Sequence, residues 1–305
     1  MRIEIVLAQK RPTISFEFMA PRSDAEVAAL FETIADLARL GPDFVCVTCR
    51  PSSRDRTMDL TIAIQKRLGL VAMAHLICVG TTRGEIANTL ERLSSGGVEN
   101  VLALRGDLSA SSDIAALPED LRYGTDLLSV ATEAGFCAGG ACYPETHPES
   151  DGLDEDLDRA LLKVRCGASF LVTQLFLDNS SYFRFVERAI RRGVDVPILP
   201  GIMPVTHFAQ LARIKSMGVS VPPKFEATML RYREDASAIR EFGIAWASIQ
   251  CAELIEKGAP GVHFYTFNRS PATRAIYGAL RATGITPSPD RRSTNANFGR
   301  ERSYA

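Results

Sequence analysis

The 305-residue sequence has no long hydrophobic run and no excess of charge of either sign. No apolar run approaches the roughly 18 to 20 residues that span a bilayer, which predicts a protein without a transmembrane helix. The 35 lysines and arginines balance 36 aspartates and glutamates, so the whole chain offers no electrostatic surface for nucleic acid or anionic lipid. Residues 1–12 lack the apolar stretch and cleavage site of a signal peptide, and we therefore expect a cytoplasmic protein.

Metal-binding and redox motifs are also scarce. The seven cysteines are scattered, and most lie in apolar runs, where reduced cysteine behaves as a small hydrophobic residue. Cys46 and Cys49 have the spacing of a redox or zinc motif. However, the run FVCVTC predicts a strand, in which positions three apart point to opposite faces and lie about 10 Å apart. His75 and Cys78 fail for the same reason, so we expect buried reduced thiols and no metal site.

Glycine-rich nucleotide-binding loops are missing as well. The sequence has no Walker loop, and no G-x-G-x-x-G motif follows the first predicted strand, because the segment ISFEFMAPRSD (14–24) contains no glycine. This absence counts against a doubly wound dinucleotide-binding fold, which stays open as an alternative.

What the chain does contain is an alternation of short apolar runs and amphipathic segments. Eight runs predict strands: 14–18, 44–49, 71–78, 100–106, 136–144, 170–176, 196–203 and 261–268. The segments between them have apolar residues at helical spacing, and many end in glycine, which terminates helices. Such alternation implies parallel strands joined by right-handed crossovers. We predict an α/β fold, a single (β/α)8 TIM barrel over residues 1–285, and a polar, disordered tail over 286–305.

Polar side chains lie near the predicted carboxyl ends of several strands, where barrel enzymes place their chemistry. In ISFEF, residues Ile14, Phe16 and Phe18 share one face, so Glu17 points to the other face, into the barrel. The other strand-end residues are Thr48, His75, Arg105, Asp107, Tyr143 and Gln174. Each alone has a structural explanation, such as an ion-paired carboxylate or a buried histidine. Together they would be costly to bury without a ligand, which predicts a small-molecule site.

Several longer motifs, in this order, give a more specific indication. They are SFEFMAPR, FVCVTC followed by RDRT, AHLIC, VLALRGD, ACYPETHPE, TQLFLD, PGIMPV and HFYTFNR. In these motifs the sequence resembles the methylenetetrahydrofolate reductase family from about Ile14 to Gly284, which is nearly the whole chain.

The resemblance implies a barrel that holds FAD at the carboxyl ends of its strands, with folate and reductant binding in turn against one flavin face. Glu17 would be the general acid that assists opening of the methylene bridge to an iminium, which calls for a raised pKa. Asp107 would be a second catalytic carboxylate, beside the flavin and the folate, and Gln174 would hydrogen-bond the substrate. The implied FAD contacts are Thr48, His75, Arg105, Gly106, Asp107, Tyr123, Ala141, Tyr143, His147, Asp156 and Lys163. Phe267 and Arg269 would lie beside the folate.

The implied activity is flavin-mediated interconversion of 5,10-methylenetetrahydrofolate and 5-methyltetrahydrofolate, in one-carbon and methionine metabolism. The implied partners are tetrahydrofolate derivatives, with NADH or NADPH as the electron donor, and a homo-oligomer is open. Nucleic acid and membrane are not expected partners.

The sequence also departs from the family pattern at two places. The segment FAQLARIKSM has Ile214 where family members place an aromatic residue, and the loop CRPSSRDRT is short and places Arg50 and Pro51 at the mouth. Both leave the electron donor and the physiological direction open. The alternatives are a related flavin barrel that acts on another imine or amine, such as proline, and a folate- or flavin-binding barrel without turnover.

Overall fold

A computed structural model describes residues 1–9, 12–107 and 117–286 of the chain. Every predicted apolar run contains a strand, and the strands pair in parallel. The strands are β1 Thr13–Phe18, β2 Phe44–Val47, β3 Ala72–Ile77, β4 Asn100–Leu104, β5 Cys137–Cys142, β6 Phe170–Thr173, β7 Ile198–Leu199, β8 Gly201–Ile202 and β9 Gly261–Tyr265. Of the predicted polar tail, only Thr286 belongs to the described residues, and the remainder lies outside them.

The sheet follows the order β7-β6-β5-β4-β3-β2-β1-β9-β8. Its two edge strands are halves of one predicted run, interrupted by Pro200, which has no N–H to donate. β7 pairs with β6 and β8 pairs with β9, so this short run connects the two edges of the sheet. The Pro200 carbonyl accepts a 2.9 Å hydrogen bond from the His263 amide. The sheet is therefore a nearly closed parallel barrel, which confirms the predicted fold and excludes the doubly wound alternative.

The helices of the described residues are α1 Ile3–Gln9, α2 Asp24–Ala38, α3 Arg54–Leu68, α4 Arg83–Ser95, α5 Gly124–Glu133, α6 Leu153–Arg165, α7 Asn179–Arg191, α8 Gln210–Ser216, α9 Pro223–Arg231, α10 Ala236–Glu256 and α11 Ser270–Ala282. Helices such as α2 cover the outer face of the strands. Ile14, Phe16 and Phe18 pack in the same hydrophobic cluster as Leu30 and Ile34 of α2. Among the described residues, no helix is both long and apolar enough to cross a membrane.

A second hydrophobic cluster fills the inside of the barrel, below the predicted site. It contains inward-facing strand residues, namely Phe44, Cys46, Met73, Leu102, Cys137, Phe170, Val172 and Leu199. Ile3 and Leu7 of α1 belong to the same cluster and are fully buried. The amino-terminal helix, which the sequence patterns did not predict, therefore packs against the interior of the barrel and closes one end of it.

Candidate active site

Three adjoining cavities lie at the carboxyl ends of the strands, and every predicted site residue lines at least one of them. The largest, of about 680 Å³, is lined by Glu17, Thr48, His75, Asp107, Gln174 and Phe267, among others. The second, of about 550 Å³, is lined by Arg105, Tyr123, His147, Asp156 and Lys163, among others. These two share the walls formed by Gly106, Asp107, Ala141 and Tyr143. The third, of about 250 Å³, contains Arg269 and shares Phe267 with the first.

Glu17 lies at the inner end of the largest cavity, among side chains from three neighbouring strands. Its Oε2 lies 3.5 Å from Nε2 of His263 and 3.4 Å from Nε2 of His75. Cys46 donates a hydrogen bond from its Sγ to the same oxygen at 3.8 Å. On the far side of the His263 ring, Nδ1 lies 2.8 Å from Oγ of Ser15. The ring is therefore fixed between a hydroxyl group and the carboxylate.

The surroundings of Glu17 determine its protonation. Burial raises the pKa of Glu17, but its hydrogen bond with His263 and the charges of the two histidines lower it by more. The resulting pKa lies below the ordinary value of 4.5, so the raised pKa expected for a general acid is wrong for this structure. Burial also lowers the pKa of His75 below 6.5, against the opposing charge of Glu17. Burial thus disfavours the charged form of His75, while the neighbours of Glu17 favour its ionised form.

His263 and Tyr265 are site residues that the sequence reasoning missed. Both belong to β9, in register with Ser15 and Glu17 of β1. Tyr265 donates a 2.6 Å hydrogen bond to the Thr173 carbonyl, and burial raises its pKa well above 10.0. The two-residue alternation that placed Glu17 inside the barrel would also have placed His263 and Tyr265 there, because both residues lie within the eighth predicted strand, 261–268.

The second cavity contains a half-buried lysine. Lys163 extends from α6 and donates a 2.6 Å hydrogen bond to the Ala141 carbonyl, and burial lowers its pKa below 10.5. Asp156, at the start of the same helix, is buried and accepts hydrogen bonds from the His147 amide and the Ser150 hydroxyl, each at 2.8 Å. Asp156 therefore positions the 147–150 loop, while Lys163 offers a positive charge to the cavity.

Arg105 is paired within the protein. Its Nη1 and Nη2 donate to the two carboxylate oxygens of Glu149 at 2.6 and 2.8 Å. These hydrogen bonds raise the pKa of Arg105 above its ordinary value and lower that of Glu149 below 4.5. A phosphate that approaches Arg105 in this cavity must therefore compete with Glu149.

The residues expected beside folate line the largest cavity or, for Arg269, the adjoining smallest one. Gln174 accepts a 2.8 Å hydrogen bond from the Leu175 amide through its Oε1. The Arg213 guanidinium lies 5.5 Å from the Phe267 ring centre, and Arg269 contacts His207. Asp107 is exposed at the edge of both larger cavities.

The two departures from the family pattern also lie at these cavities. Arg50 and Pro51 line the largest cavity, and Pro51–Ser53 forms a short 3-10 helix there. Ile214 of α8 lines the smallest cavity but is fully buried in a hydrophobic cluster. As a result, Ile214 contributes a packed apolar wall at the position where an aromatic ring was expected.

Solved structures share the architecture at low sequence identity. An uncharacterized protein from Clostridium thermocellum, described as binding two copies of 5-methyl-5,6,7,8-tetrahydrofolic acid, matches with a TM-score of 0.64 and 16% identity, over 92% of this chain and 98% of that one. A dihydropteroate synthase from Xanthomonas albilineans matches with a TM-score of 0.52 and 15% identity, over 91% and 95% of the two chains. At these identities the similarity shows the fold alone.

Sequence comparisons establish the family. The family model described as methylenetetrahydrofolate reductase matches residues 2–281. The 5,10-methylenetetrahydrofolate reductases of Salmonella typhimurium and Escherichia coli are 36% and 35% identical over 283 residues, covering 92% of this chain and 93% of each relative. An Arabidopsis thaliana relative, methylenetetrahydrofolate reductase (NADH) 1, is 31% identical over 93% of this chain and 50% of its own. Matches of this extent set aside the proline-type and non-catalytic alternatives. The chain belongs to the methylenetetrahydrofolate reductase family and is an enzyme that reduces 5,10-methylenetetrahydrofolate.

Proposed function

We propose that this reductase binds FAD across the two larger cavities and reduces 5,10-methylenetetrahydrofolate with Glu17 as the proton donor. The observation that carries the proposal is the position of Glu17. It lies at the inner end of a cavity that continues, through shared walls, into a second cavity lined by three basic side chains, Arg105, Arg159 and Lys163. An elongated cofactor with a flat apolar end and a diphosphate matches this arrangement.

The residues of the two cavities suit FAD in size and in charge. Lys163 and Arg105 would bind the diphosphate, one as a point charge and the other as a planar fork. Gly106 has a φ of 88°, and a side chain there would bring a Cβ within 3.2 Å of Ile77 Cβ, so the wall next to the flavin requires glycine. Thr48, His75, Ala141 and Tyr143 would line the flavin end, with Tyr123, His147 and Asp156 towards the other end. When bound, FAD supplies the hydride that the substrate carbon accepts.

Glu17 would deliver the proton that opens the five-membered ring of the substrate. Folate that covers the cavity removes water from the carboxylate, and further burial raises its pKa. His263, fixed by Ser15, holds the carboxylate in one orientation, so the same oxygen faces the substrate in each turnover. The lowered pKa of Glu17 in the folate-free site is thus consistent with its protonation once folate is bound.

Asp107, Gln174, Phe267 and Arg269 would position the folate and stabilise the charge that develops on it. The Asp107 carboxylate would stabilise the cationic carbon–nitrogen group that forms when the ring opens. The Gln174 amide would donate to the pterin. Phe267 would pack against the aromatic part of folate, and Arg269 would pair with its carboxylates.

The proposal is tested by measuring the two half-reactions separately in an anaerobic stopped-flow instrument. In Glu17→Gln we expect flavin reduction by the electron donor to stay within a few-fold of the unsubstituted rate, and folate reduction to fall at least about 100-fold, the usual range for a lost general acid. Glu145→Gln, which alters a carboxylate outside the three cavities, is the matched control. Equal loss of both half-reactions in Glu17→Gln would remove the proton-donor role.

The same instrument identifies the electron donor. NADH and NADPH are tested in parallel as reductants of the bound flavin, together with 5-methyltetrahydrofolate for the reverse direction. We propose that a reduced nicotinamide reacts in the largest cavity, at the position folate later occupies, since Arg50 and Arg213 both line that cavity and would attract its phosphates. Reduction by 5-methyltetrahydrofolate alone would instead place the physiological reaction in the opposite direction.

A further inference from the structure

The carboxylate of Glu17 also belongs to a cluster of side chains whose ligand atoms lie close enough together to bind one metal ion. Glu17 Oε2, Cys46 Sγ and His263 Nε2 come from three adjacent strands and form a triangle with sides of 3.5, 3.6 and 3.8 Å. All three side chains are within the barrel, and Cys46 and His263 are completely buried. Carboxylate oxygen, thiolate sulfur and imidazole nitrogen are the three donor types that bind zinc in proteins.

The size of this triangle fits a tetrahedral ion. Zinc bonds are about 2.3 Å to sulfur and about 2.0–2.1 Å to nitrogen and oxygen, so ligand atoms around zinc lie roughly 3.3–3.6 Å apart. The three observed separations exceed these values by no more than a few tenths of an ångström. Small side-chain rotations would be sufficient to complete the coordination. Residues brought together across strands escape detection by sequence spacing, which explains why the sequence indicated no metal.

A buried nitrogen without a partner provides a second, independent observation. His75 Nε2 has no hydrogen-bond partner among the described residues, and only 5% of the residue is exposed. It lies 3.4 Å from the same Glu17 oxygen that faces Cys46 and His263. An unsatisfied buried polar atom carries a free-energy cost, which water bound to a cation at Glu17 would relieve.

We propose that Glu17, Cys46 and His263 bind one zinc ion at the inner end of the largest cavity, with water as the fourth ligand. On binding, the Cys46 thiol loses its proton to solvent, and its sulfur forms a bond to the metal. Glu17 and Cys46 then carry two negative charges against the two positive charges of Zn²⁺, so the buried site is neutral. Zinc occupies the Glu17 oxygen and prevents it from carrying a proton, so it acts as a reversible inhibitor of folate reduction.

The binding test uses the FAD-loaded protein after removal of metal with a chelator. Zinc is titrated against a chromophoric chelator, and the bound metal is examined by X-ray absorption at the zinc edge. We expect one equivalent per chain and a single sulfur neighbour at about 2.3 Å with nitrogen and oxygen neighbours near 2.0 Å. Spectra without sulfur, or no saturable binding at micromolar zinc, would overturn the proposal, and neither result requires a variant that folds.

Variants locate the site. Cys46→Ser should weaken zinc binding at least tenfold and remove the sulfur signal, whereas Cys166→Ser, which alters a half-buried cysteine in the loop after α6, should change neither. His75→Gln, which alters a neighbour of Glu17 outside the three ligands, should retain the sulfur signal. Unchanged affinity in Cys46→Ser would also overturn the assignment. The flavin absorption spectrum of each variant reports whether the barrel is intact.

Only the inhibition arm rests on the proposed function. Zinc should abolish folate reduction in the unsubstituted protein, a chelator should restore it, and the effect should require at least tenfold more zinc in Cys46→Ser. If the protein binds zinc through sulfur but shows no folate turnover in its absence, the proposed function fails and the metal site remains. If turnover is normal and zinc does not bind, the metal site fails alone.

Discussion

The pairing of Arg105 limits how well the second cavity accepts a phosphate. Its guanidinium group makes two hydrogen bonds to Glu149, whose side chain is 53% exposed, and a phosphate at the same edge must displace that carboxylate. We expect Glu149→Gln to bind FAD up to about fivefold more tightly, because a surface ion pair of this kind is worth about 0.2–1 kcal/mol. Quenching of FAD fluorescence measures the affinity.

The matched control for this substitution is Glu187→Gln. It removes the same charge from an ion pair with Arg191 on the surface of α7, away from the cavities, and should leave FAD affinity unchanged. Weaker FAD binding in Glu149→Gln would instead mean that Glu149 supports the cofactor site.

The buried imidazole of His75 should make stability depend on pH. Burial lowers its pKa in the folded protein below the 6.5 of the unfolded chain, so below pH 6.5 the unfolded state binds more protons. Stability contributed by neutral His75 is complete above that pH and decreases as pH falls towards the folded-state pKa. The largest slope for one group is about 1.4 kcal/mol per pH unit. In urea unfolding, we expect the free energy of unfolding of His75→Gln to fall less than that of the unsubstituted protein between about pH 6.5 and pH 5. If the two proteins show the same dependence on pH, His75 does not contribute to it.

Local alternation and strand ends were sufficient to predict which side chains of β1, β3 and β6 reach the cavities. Glu17, His75 and Gln174 could be identified because each is a polar residue in or directly after an apolar run. Their partners could not be identified in this way. Glu149 is 44 residues from Arg105 and His263 is 246 residues from Glu17, and those contacts exist only once the barrel has brought distant strands together. The protonation of Glu17 follows from these contacts, which is why the expected direction of its pKa was wrong.

Among the elements, α1 shows what periodicity alone does not reveal. Its seven residues are too few to show a clear helical repeat, and its role depends on the barrel that it closes. The seventh run was predicted as one strand, but Pro200 divides it into β7 and β8, which pair on opposite sides. Each run that forms a strand was therefore predictable from the sequence, whereas the division of the seventh run and the closure of the sheet were not.

Because α1 packs against the barrel interior, its buried face should matter for stability. Leu7 is fully buried in the inner cluster, whereas Ile5 on the same helix is 41% exposed. Leu7→Ala should lower the free energy of unfolding by about 2–5 kcal/mol, the usual cost of removing a large core side chain. Ile5→Ala, the matched control, should change it by about 0.5 kcal/mol or less. Urea unfolding measures both. Similar small effects would show that α1 detaches without consequence for the barrel.

In the whole molecule, the two larger cavities share walls, so a cofactor that fills both would contact the ends of two neighbouring strands. Gly106, Asp107, Ala141 and Tyr143, which form these walls, follow or belong to β4 and β5. A ligand that fills both cavities binds only the folded barrel, so it stabilises the fold by mass action, by about 2.7 kcal/mol at a concentration of 100 times its Kd. For a protein of this size, that free energy corresponds to a rise in Tm of a few degrees.

Riboflavin allows the contribution of the second cavity to be measured. Riboflavin keeps the ring system of FAD but lacks the diphosphate and adenosine. It therefore lacks the phosphates that we propose Lys163 and Arg105 bind. At equal concentration, FAD should therefore raise the Tm of the flavin-free protein more than riboflavin does, and Arg105→Ala should reduce that difference. Differential scanning calorimetry at several ligand concentrations measures the shifts. Equal shifts for the two ligands would mean that the second cavity does not bind the cofactor, and the diphosphate would then have to lie elsewhere on the barrel mouth.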